Sequence, residues 1–127
     1  MKNLIAAIAL TMCAHVAQAQ NLQSCLNSAK TWIYQNTSGN SSASAELAAA
    51  FCAAGGDEAC LDPAKSWIYQ NTSNNSSGAA TKAVEFCKRG DVSCLDPMKN
   101  FLYQNTSSNS SQAAEKAVEN CKRRRCE

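Results

Sequence analysis

Apolar residues recur along this sequence three and four residues apart, which is the spacing of amphipathic helices. Six such stripes follow one another, and none alternates with the two-residue period of a strand. The first, third and fifth stripes are Leu26, Ala29, Trp32 and Ile33; Leu61, Ala64, Trp67 and Ile68; and Leu95, Met98, Phe101 and Leu102. The second, fourth and sixth are Ala45, Ala48, Ala49 and Cys52; Ala80, Ala83, Val84 and Cys87; and Ala114, Ala117, Val118 and Cys121. The pattern predicts six helices of about 10–12 residues each.

The six segments form three copies of one unit. The units start at Cys25, Cys60 and Cys94, so the period is 35 and then 34 residues, and they cover 25–59, 60–93 and 94–127. Between its two helices each unit carries a polar phrase, "YQNTSGNSS", "YQNTSNNSS" or "YQNTSSNSS". Periods of about 20–50 residues are typical of solenoids, whose units cover one another's apolar faces. We expect an all-α fold, a right-handed α-solenoid of three disulfide-bridged helical hairpins.

Polar residues indicate where the helices begin and end. An Asp-Pro pair should open the first helix of the second and third units, because Asp caps free N–H groups and Pro needs no donor there. The pairs are Asp62-Pro63 and Asp96-Pro97. The Asn, Thr and Ser of the phrase should end that helix, and a serine should cap the next one, which would start after Ser76 and Ser77. Gly55, Gly56 and Gly90 fit the end of the second helix.

The first 19 residues have the features of a secretory signal. A short basic start precedes an apolar run from Leu4 to about Ala14, and the segment ends in Ala17-Gln18-Ala19. The apolar run is too short to span a bilayer. We therefore expect cleavage after Ala19, a mature domain over 20–127, no transmembrane segment, and a periplasmic or secreted protein.

Cleavage would remove His15, the only histidine of the sequence. The mature chain could then build no Ser-His-Asp triad, no Cys-His dyad and no histidine metal site, and it carries no Ser-x-x-Lys motif. Its scattered carboxylates, which form no recognisable pair, are Glu46, Asp57, Glu58, Glu85 and Glu119. The formal net charge of +2 provides no general attraction for nucleic acid or membranes. We expect no catalytic residue, no metal site, no cofactor and no nucleic-acid partner.

Seven cysteines follow the predicted signal, and in an exported protein they predict disulfides. Two pairings suit antiparallel helices. One joins the two helices of each unit, as Cys25–Cys52, Cys60–Cys87 and Cys94–Cys121. The other joins each unit to the next, as Cys52–Cys60, Cys87–Cys94 and Cys121–Cys126. Loop entropy favours the first by only about 1 kcal/mol per bridge, which does not decide between them.

The segments "CAAGGDEAC" (52–60) and "CKRGDVSC" (87–94) resemble the disulfide turn of bacterial cysteine-rich repeat proteins of the SEL-one-like branch of tetratricopeptide-type repeats. The stretch "AATKAVEFCKRGDVSC" (79–94) is similar to the family's second helix, its turn and the start of the next helix, and Tyr69 and Tyr103 match its first-helix tyrosine. The chain lacks the family's Leu-Gly and carries the Asn/Ser phrase in place of its Gly-rich loop.

The resemblance implies helical hairpins bridged from unit to unit. The implied bridges are Cys52–Cys60, Cys87–Cys94 and Cys121–Cys126. They would leave Cys25 unpaired, either idle or joined to a second chain in a covalent homodimer. Some family members are weak penicillin-binding or β-lactamase-like proteins, so the resemblance also raises that chemistry as an alternative.

Stacked hairpins should bring the three phrases to one edge of the solenoid. The simplest interpretation is structural, because Asn and Ser end one helix and cap the next. The phrases also contain formal acceptor sites for glycosylation, at Asn36, Asn40, Asn71, Asn74, Asn75, Asn105 and Asn109. A third interpretation is a shallow polar surface for a glycan or peptide. Its candidate residues are Tyr34, Asn36, Tyr69, Asn71, Tyr103 and Asn105.

These features favour an exported, non-catalytic binding or interaction module whose partner is a protein, a peptide or a component of the cell envelope. Repeat solenoids offer extended binding surfaces, so this expectation rests on analogy between folds. Two alternatives stay open. One is a weak cell-wall or β-lactam hydrolase, and the other is a structural envelope protein without a discrete ligand.

Overall fold

A computed structural model describes residues 19–122, which form six α-helices, one short 3-10 helix and no strand within that range. The α-helices are α1 (Ala19–Asn36), α2 (Ser41–Ala53), α3 (Glu58–Asn71), α4 (Ser76–Phe86), α5 (Leu95–Asn105) and α6 (Ser110–Cys121). They pair as α1 with α2, α3 with α4 and α5 with α6, so that each sequence repeat is one helical hairpin. The predicted all-α fold of stacked hairpins is confirmed, while its right-handed sense stays a prediction. The predicted signal lies outside the described residues except for Ala19.

Asparagine, not serine, caps the second helix of every hairpin. The side-chain oxygens of Asn40, Asn75 and Asn109 accept hydrogen bonds of 2.8, 2.7 and 2.8 Å from the backbone N–H three residues later. In α6 the side chain of Gln112 accepts from the Asn109 backbone N–H and completes a capping box. The predicted serine cap is wrong, because each helix begins at the first serine and the preceding asparagine takes the cap position.

The first helices of the second and third hairpins do not begin at the Asp-Pro pairs. Helix α3 begins at Glu58, with Asp57 as its cap, so that Asp62 and Pro63 lie inside the helix. A 3-10 turn, Val92–Cys94, leads into α5 and is itself capped by Asp91. In both hairpins an earlier aspartate satisfies the free N–H groups first, which makes the later pair unnecessary as a start signal.

Within residues 19–122, three disulfides close the hairpins at the end opposite the polar phrase. They join Cys25 to Cys52, Cys60 to Cys87 and Cys94 to Cys121, with Cα–Cα distances of 6.0, 5.7 and 5.9 Å. The bridges Cys52–Cys60, Cys87–Cys94 and Cys121–Cys126 are therefore wrong. An unpaired Cys25 is wrong too, and with it the route proposed for a covalent homodimer. Cys126 itself lies outside the described residues.

The cysteines pair within a hairpin because they lie where its two helices face each other. In each helix the cysteine belongs to a stripe of residues four apart that packs against the partner helix. The stripes of the second hairpin are Cys60, Ala64 and Ile68 on α3, and Ala79 and Ala83 on α4 with Cys87 at its C-cap, all buried. In an antiparallel pair, the first residue of one stripe meets the last residue of the other. A bridge to the next unit would require the cysteine to leave this face.

Alanine makes up much of the core. Within residues 22–122 nine alanines are buried, at positions 29, 48, 64, 79, 80, 83, 113, 114 and 117. Larger side chains fill the remaining space, and the almost fully buried ones include Ile33, Phe51, Leu61, Ile68, Phe86 and Leu95. Helix α1 packs against α4 and α3 packs against α6, so that each hairpin covers the next. The core is therefore continuous through the three units, as the predicted stripes require.

The two ends of the solenoid depart from the predicted stripes. Phe101 is 60% exposed, although Trp32 and Trp67 at the equivalent positions pack against the core. Ala45 and Ala49 are also exposed, although Ala80, Val84 and their third-unit equivalents are buried. The difference arises because no described unit follows the third hairpin or precedes the first.

Glycines after the second helices allow two phenylalanine rings to fold over the turns. A Cβ atom at Gly56 would lie 2.5 Å from the ring of Phe51, and one at Gly90 would lie 2.6 Å from the ring of Phe86. Gly56 and Gly90 donate backbone hydrogen bonds to the carbonyls of the same phenylalanines, at 2.9 and 2.6 Å. These turns are the stop signals predicted from the sequence, and they also pack against the core.

The disulfide pattern predicts the outcome of peptide mapping on non-reduced protein. Cleavage with trypsin and a glutamate-specific protease separates Cys52 from Cys60, because Glu58 lies between them. We expect Cys25 to be linked to the fragment that contains Cys52, and Cys60 to the fragment that contains Cys87. A link between the fragments of Cys52 and Cys60 would contradict the structure.

A second prediction concerns Ser44, the one buried polar residue in the described part of the chain. Its Oγ has no hydrogen-bond partner, and the equivalent positions in the other hairpins are the buried Ala79 and Ala113. We expect Ser44→Ala to raise the free energy of unfolding by about 1 kcal/mol, because an unpaired buried hydroxyl is costly and alanine favours helix. Urea unfolding measures this change, and Ala79→Ser is the matched control, expected to destabilise. A loss of stability in Ser44→Ala would count against this account.

Candidate functional site

The first asparagine of each polar phrase ends the first helix of its hairpin. The Nδ2 atoms of Asn36 and Asn71 donate hydrogen bonds of 2.8 Å to the carbonyls of Trp32 and Trp67. Asn105 makes the same contact, also 2.8 Å long, to the carbonyl of Phe101. These bonds fold each asparagine side chain back onto the last turn of its own helix.

The following threonine holds the turn itself. The Oγ1 atoms of Thr37, Thr72 and Thr106 donate to the carbonyl four residues earlier, at 2.8, 2.7 and 2.6 Å. The same oxygens accept longer hydrogen bonds of 3.3–3.4 Å from the backbone N–H two residues later. Each threonine therefore links the end of the first helix to the start of the loop. The sequence indicated that the phrase ends the first helix, but it could not indicate which atoms the threonine contacts.

Two polar contacts join each unit to the next. The indole Nε1 of Trp32 donates to Asp62 Oδ1, and that of Trp67 donates to Asp96 Oδ1, both at 2.8 Å. The ammonium group of the next unit's lysine donates to the first asparagine of the phrase. These bonds run from Lys65 to Asn36, at 3.0 Å, and from Lys99 to Asn71, at 2.9 Å. We call the two contacts together the unit joint.

The unit joint occupies two asparagines of the candidate ligand surface. Asn36 and Asn71 were expected to face a ligand, but both ends of each side-chain amide are bound within the chain and the residues are half-buried. They therefore serve the fold. Asn105, in the last described unit, is exposed, since no further described unit supplies a lysine at the equivalent of Lys65 and Lys99. Its Nδ2 is also bound to Phe101.

The tyrosines of the candidate surface remain available. Tyr34, Tyr69 and Tyr103 are 55, 54 and 55% exposed, and their hydroxyl groups make no hydrogen bond within the described residues. They occupy equivalent positions on α1, α3 and α5. The hydroxyl of Ser77 in the second unit donates to that of Ser38 in the first, at 3.4 Å, so the first two phrases meet.

A shallow groove of about 420 Å³ lies beside the second of these tyrosines. Its lining residues are Asp62, Lys65, Ser66, Tyr69 and Ser76. The charged residues in this groove, Asp62 and Lys65, already take part in the unit joint, so the free chemistry is the phenol ring and two hydroxyl groups. The arrangement can stack against a ligand and hydrogen-bond to it.

A second groove of about 310 Å³ runs between the second and third units. Ile68 and Val118 lie in it, and charged residues of α4 and α6 surround them. Two ion pairs lie at the ends of these helices, Lys88–Glu85 at 2.8 Å and Lys122–Glu119 at 3.0 Å. The glutamates are exposed and the lysines are partly exposed, so these pairs contribute little to stability.

The carboxylates noted in the sequence lie at the surface, and Glu85 and Glu119 both line the groove between the second and third units. Glu46, Asp57, Glu58, Glu85 and Glu119 are all exposed. Within residues 19–122 no three side chains of His, Cys, Asp and Glu stand close enough to hold a metal ion. Over the same range, no helix is both long and apolar enough to cross a bilayer.

The unit joint predicts an energetic coupling between Trp67 and Asp96. We expect Trp67→Phe and Asp96→Ala to be less destabilising together than the sum of the two changes, by about 1 kcal/mol, because either change removes the same charge-assisted hydrogen bond. A double-mutant cycle in urea unfolding measures this term. Trp67→Phe combined with Glu46→Gln is the control, and these distant changes should add. Additivity at Trp67 and Asp96 would show that the bond contributes nothing to stability.

No protein-family model matches this chain, and neither does any curated protein or solved structure.

Proposed function

We propose that this protein is an exported, non-catalytic binding module that engages a protein or peptide through the face of its first helices. We call this face the tyrosine face and define it by Tyr34, Tyr69 and Tyr103. The observation that carries the proposal is the equal exposure of the three rings, at 54–55%, on equivalent positions of three stacked units.

The tyrosines differ from the other repeated residues of the phrase. The two asparagines and the threonine each make hydrogen bonds that end, turn or cap a helix. These residues recur in every unit because each hairpin requires them to end, turn and cap its helices. The tyrosine rings, in contrast, lie outside the core and make no such bond within the described part of the chain. Tyrosine supplies a large contact area at low entropic cost, which explains its enrichment in binding surfaces.

The helices beneath the tyrosines support the proposal because they are held in place. A disulfide fixes each first helix to its partner, and the unit joint fixes the second and third units to their predecessors. A surface that is already ordered loses little conformational freedom on binding. Short peptides and protein loops can bind along such a row of rings.

The disulfides also support the export part of the proposal. Three bridges in a small helical domain are typical of an oxidising compartment, such as the periplasm or the cell exterior. The same proposal includes kinship with the SEL-one-like repeats. The hairpin architecture supports that kinship, whereas bridges inside the hairpins depart from the family pattern.

The non-catalytic part rests on the side-chain chemistry of the surface. The carboxylates noted in the sequence are exposed, and no histidine lies among residues 19–122 to act as a base beside the hydroxyl groups of the grooves. A hydrolase would need both groups within hydrogen-bond reach.

Removing the rings tests the proposal. Selection against the disulfide-bonded protein from a phage library of random peptides should enrich binders, whose affinity is then measured by surface plasmon resonance. We expect the triple change of Tyr34, Tyr69 and Tyr103 to Ser to weaken these peptides at least about tenfold, because buried tyrosines contribute strongly to interfaces.

The matched control changes three exposed residues of the second helices, Glu46, Glu85 and Glu119, to Gln. This variant should bind the selected peptides like the unchanged protein. Equal peptide binding by the tyrosine variant would refute the tyrosine face, provided that its circular dichroism and disulfides are unchanged.

A further inference from the structure

The contact between neighbouring hairpins has two sides, and each side also occurs once without a partner. The first helix of one unit supplies one side and the second helix of the next unit supplies the other, as α1 with α4 and α3 with α6. Among residues 19–122 the third unit is the last one described, so no described unit follows α5. The first unit is the first one described, so no described unit precedes α2. The described solenoid therefore ends in two different surfaces that internal units pack together.

The surface on α5, which we call the trailing end, is exposed where its internal copies are covered. Phe101 is 60% exposed and Asn105 is exposed, whereas Trp67 and Asn71 at these positions are half-buried by the next unit. Leu102 is half-buried, whereas Ile33 and Ile68 are fully buried. An exposed phenylalanine beside a partly exposed leucine is an apolar face of the kind that marks a contact site.

The opposite end of the solenoid lies on the first unit, and we call it the leading end. It too is exposed where its internal copies are covered. Ala45 and Ala49 of α2 are exposed, whereas their copies Ala80, Val84 and the third-unit equivalents are buried against the preceding first helix. Lys30 is also exposed, whereas Lys65 is half-buried with its ammonium group on Asn36. The leading end thus offers a small apolar face and a lysine donor.

We infer that the trailing end of one copy binds the leading end of another copy. The second copy is the occupant that the structure favours, because each half of the internal contact is present at the opposite end of the same molecule. In this joint α5 would pack against α2 of the next copy, and Lys30 would donate to Asn105 as Lys65 donates to Asn36. A contact between different surfaces does not close on itself at two copies, so it produces chains.

The joint between copies is weaker than the joint between units. Phe101 stands where internal units have Trp32 and Trp67, and Asn27 stands where they have Asp62 and Asp96. The indole–carboxylate hydrogen bond is therefore absent between copies. Because the indole and the carboxylate are replaced together, neither an indole N–H nor a carboxylate is left unpaired in the joint between copies. The association is consequently reversible and depends on concentration.

Sedimentation velocity on the disulfide-bonded protein tests this inference independently of the tyrosine face. Between about 10 µM and 1 mM, the weight-average sedimentation coefficient should rise with concentration. Ala49→Glu should block the leading end and Phe101→Glu the trailing end, so that each variant alone stays monomeric. Both residues are exposed, so neither change disturbs the core.

Mixing the two variants gives the decisive readout. Each retains the end that the other has lost, so an equimolar mixture should form dimers and nothing larger. Ala50→Glu is the matched control, because Glu85 and Glu119 are exposed at this position in the other units, and it should associate like the unchanged protein. The pair Phe101→Trp with Asn27→Asp restores the missing hydrogen bond and should lower the dissociation constant at least about tenfold.

Three results would overturn the inference. The unchanged protein could remain monomeric up to about 1 mM. The mixture of Ala49→Glu and Phe101→Glu could fail to form dimers. Ala50→Glu could abolish association as completely as Ala49→Glu, which would show that negative charge anywhere on α2 is sufficient.

Discussion

A covalent bond holds each hairpin shut at the end where its two helices would otherwise separate. The core beneath it is thin, since each of its many alanines buries only one methyl group, worth about 0.8 kcal/mol. Small side chains let the helices approach closely, but they provide little apolar area to hold them together. The disulfides add to this thin core by restricting the unfolded chain. The remaining architecture depends on that closure, because a hairpin that stays shut presents the same two faces to its neighbours.

The polar phrase between the helices is therefore largely a product of the fold. Its first asparagine ends one helix and accepts the next unit's lysine, its threonine secures the turn, and its second asparagine caps the following helix. Repetition of the phrase follows from repetition of the hairpin and does not require a ligand. The tyrosine that opens the phrase is the exception, since its ring is exposed in all three copies.

Much of this organisation could be predicted from local patterns. Helical stripes, the 34- to 35-residue period and the glycine turns depend on residues close in sequence. The disulfide pairing depended on which face Cys60 occupies, and the spacing to Ala64 and Ile68 already indicated the face toward α4. The resemblance to a known turn suggested a different partner. The bonds from Trp67 to Asp96 and from Lys99 to Asn71 could not be predicted, because 28–29 residues separate the partners and only packing of units aligns them.

The position of the bridges also determines how the domain bears mechanical load. Tension applied at its two ends passes through each disulfide and bypasses the hairpin it closes, because each bridge spans a sequence separation of 27 residues. Only the short connections from Cys52 to Cys60 and from Cys87 to Cys94 carry the force as free polypeptide. At about 3.5 Å per residue, each can lengthen to no more than about 30 Å. While its bridges are intact, the domain extends only a little under tension. A thiol reductant would open the bridges and let the same tension extend the whole chain.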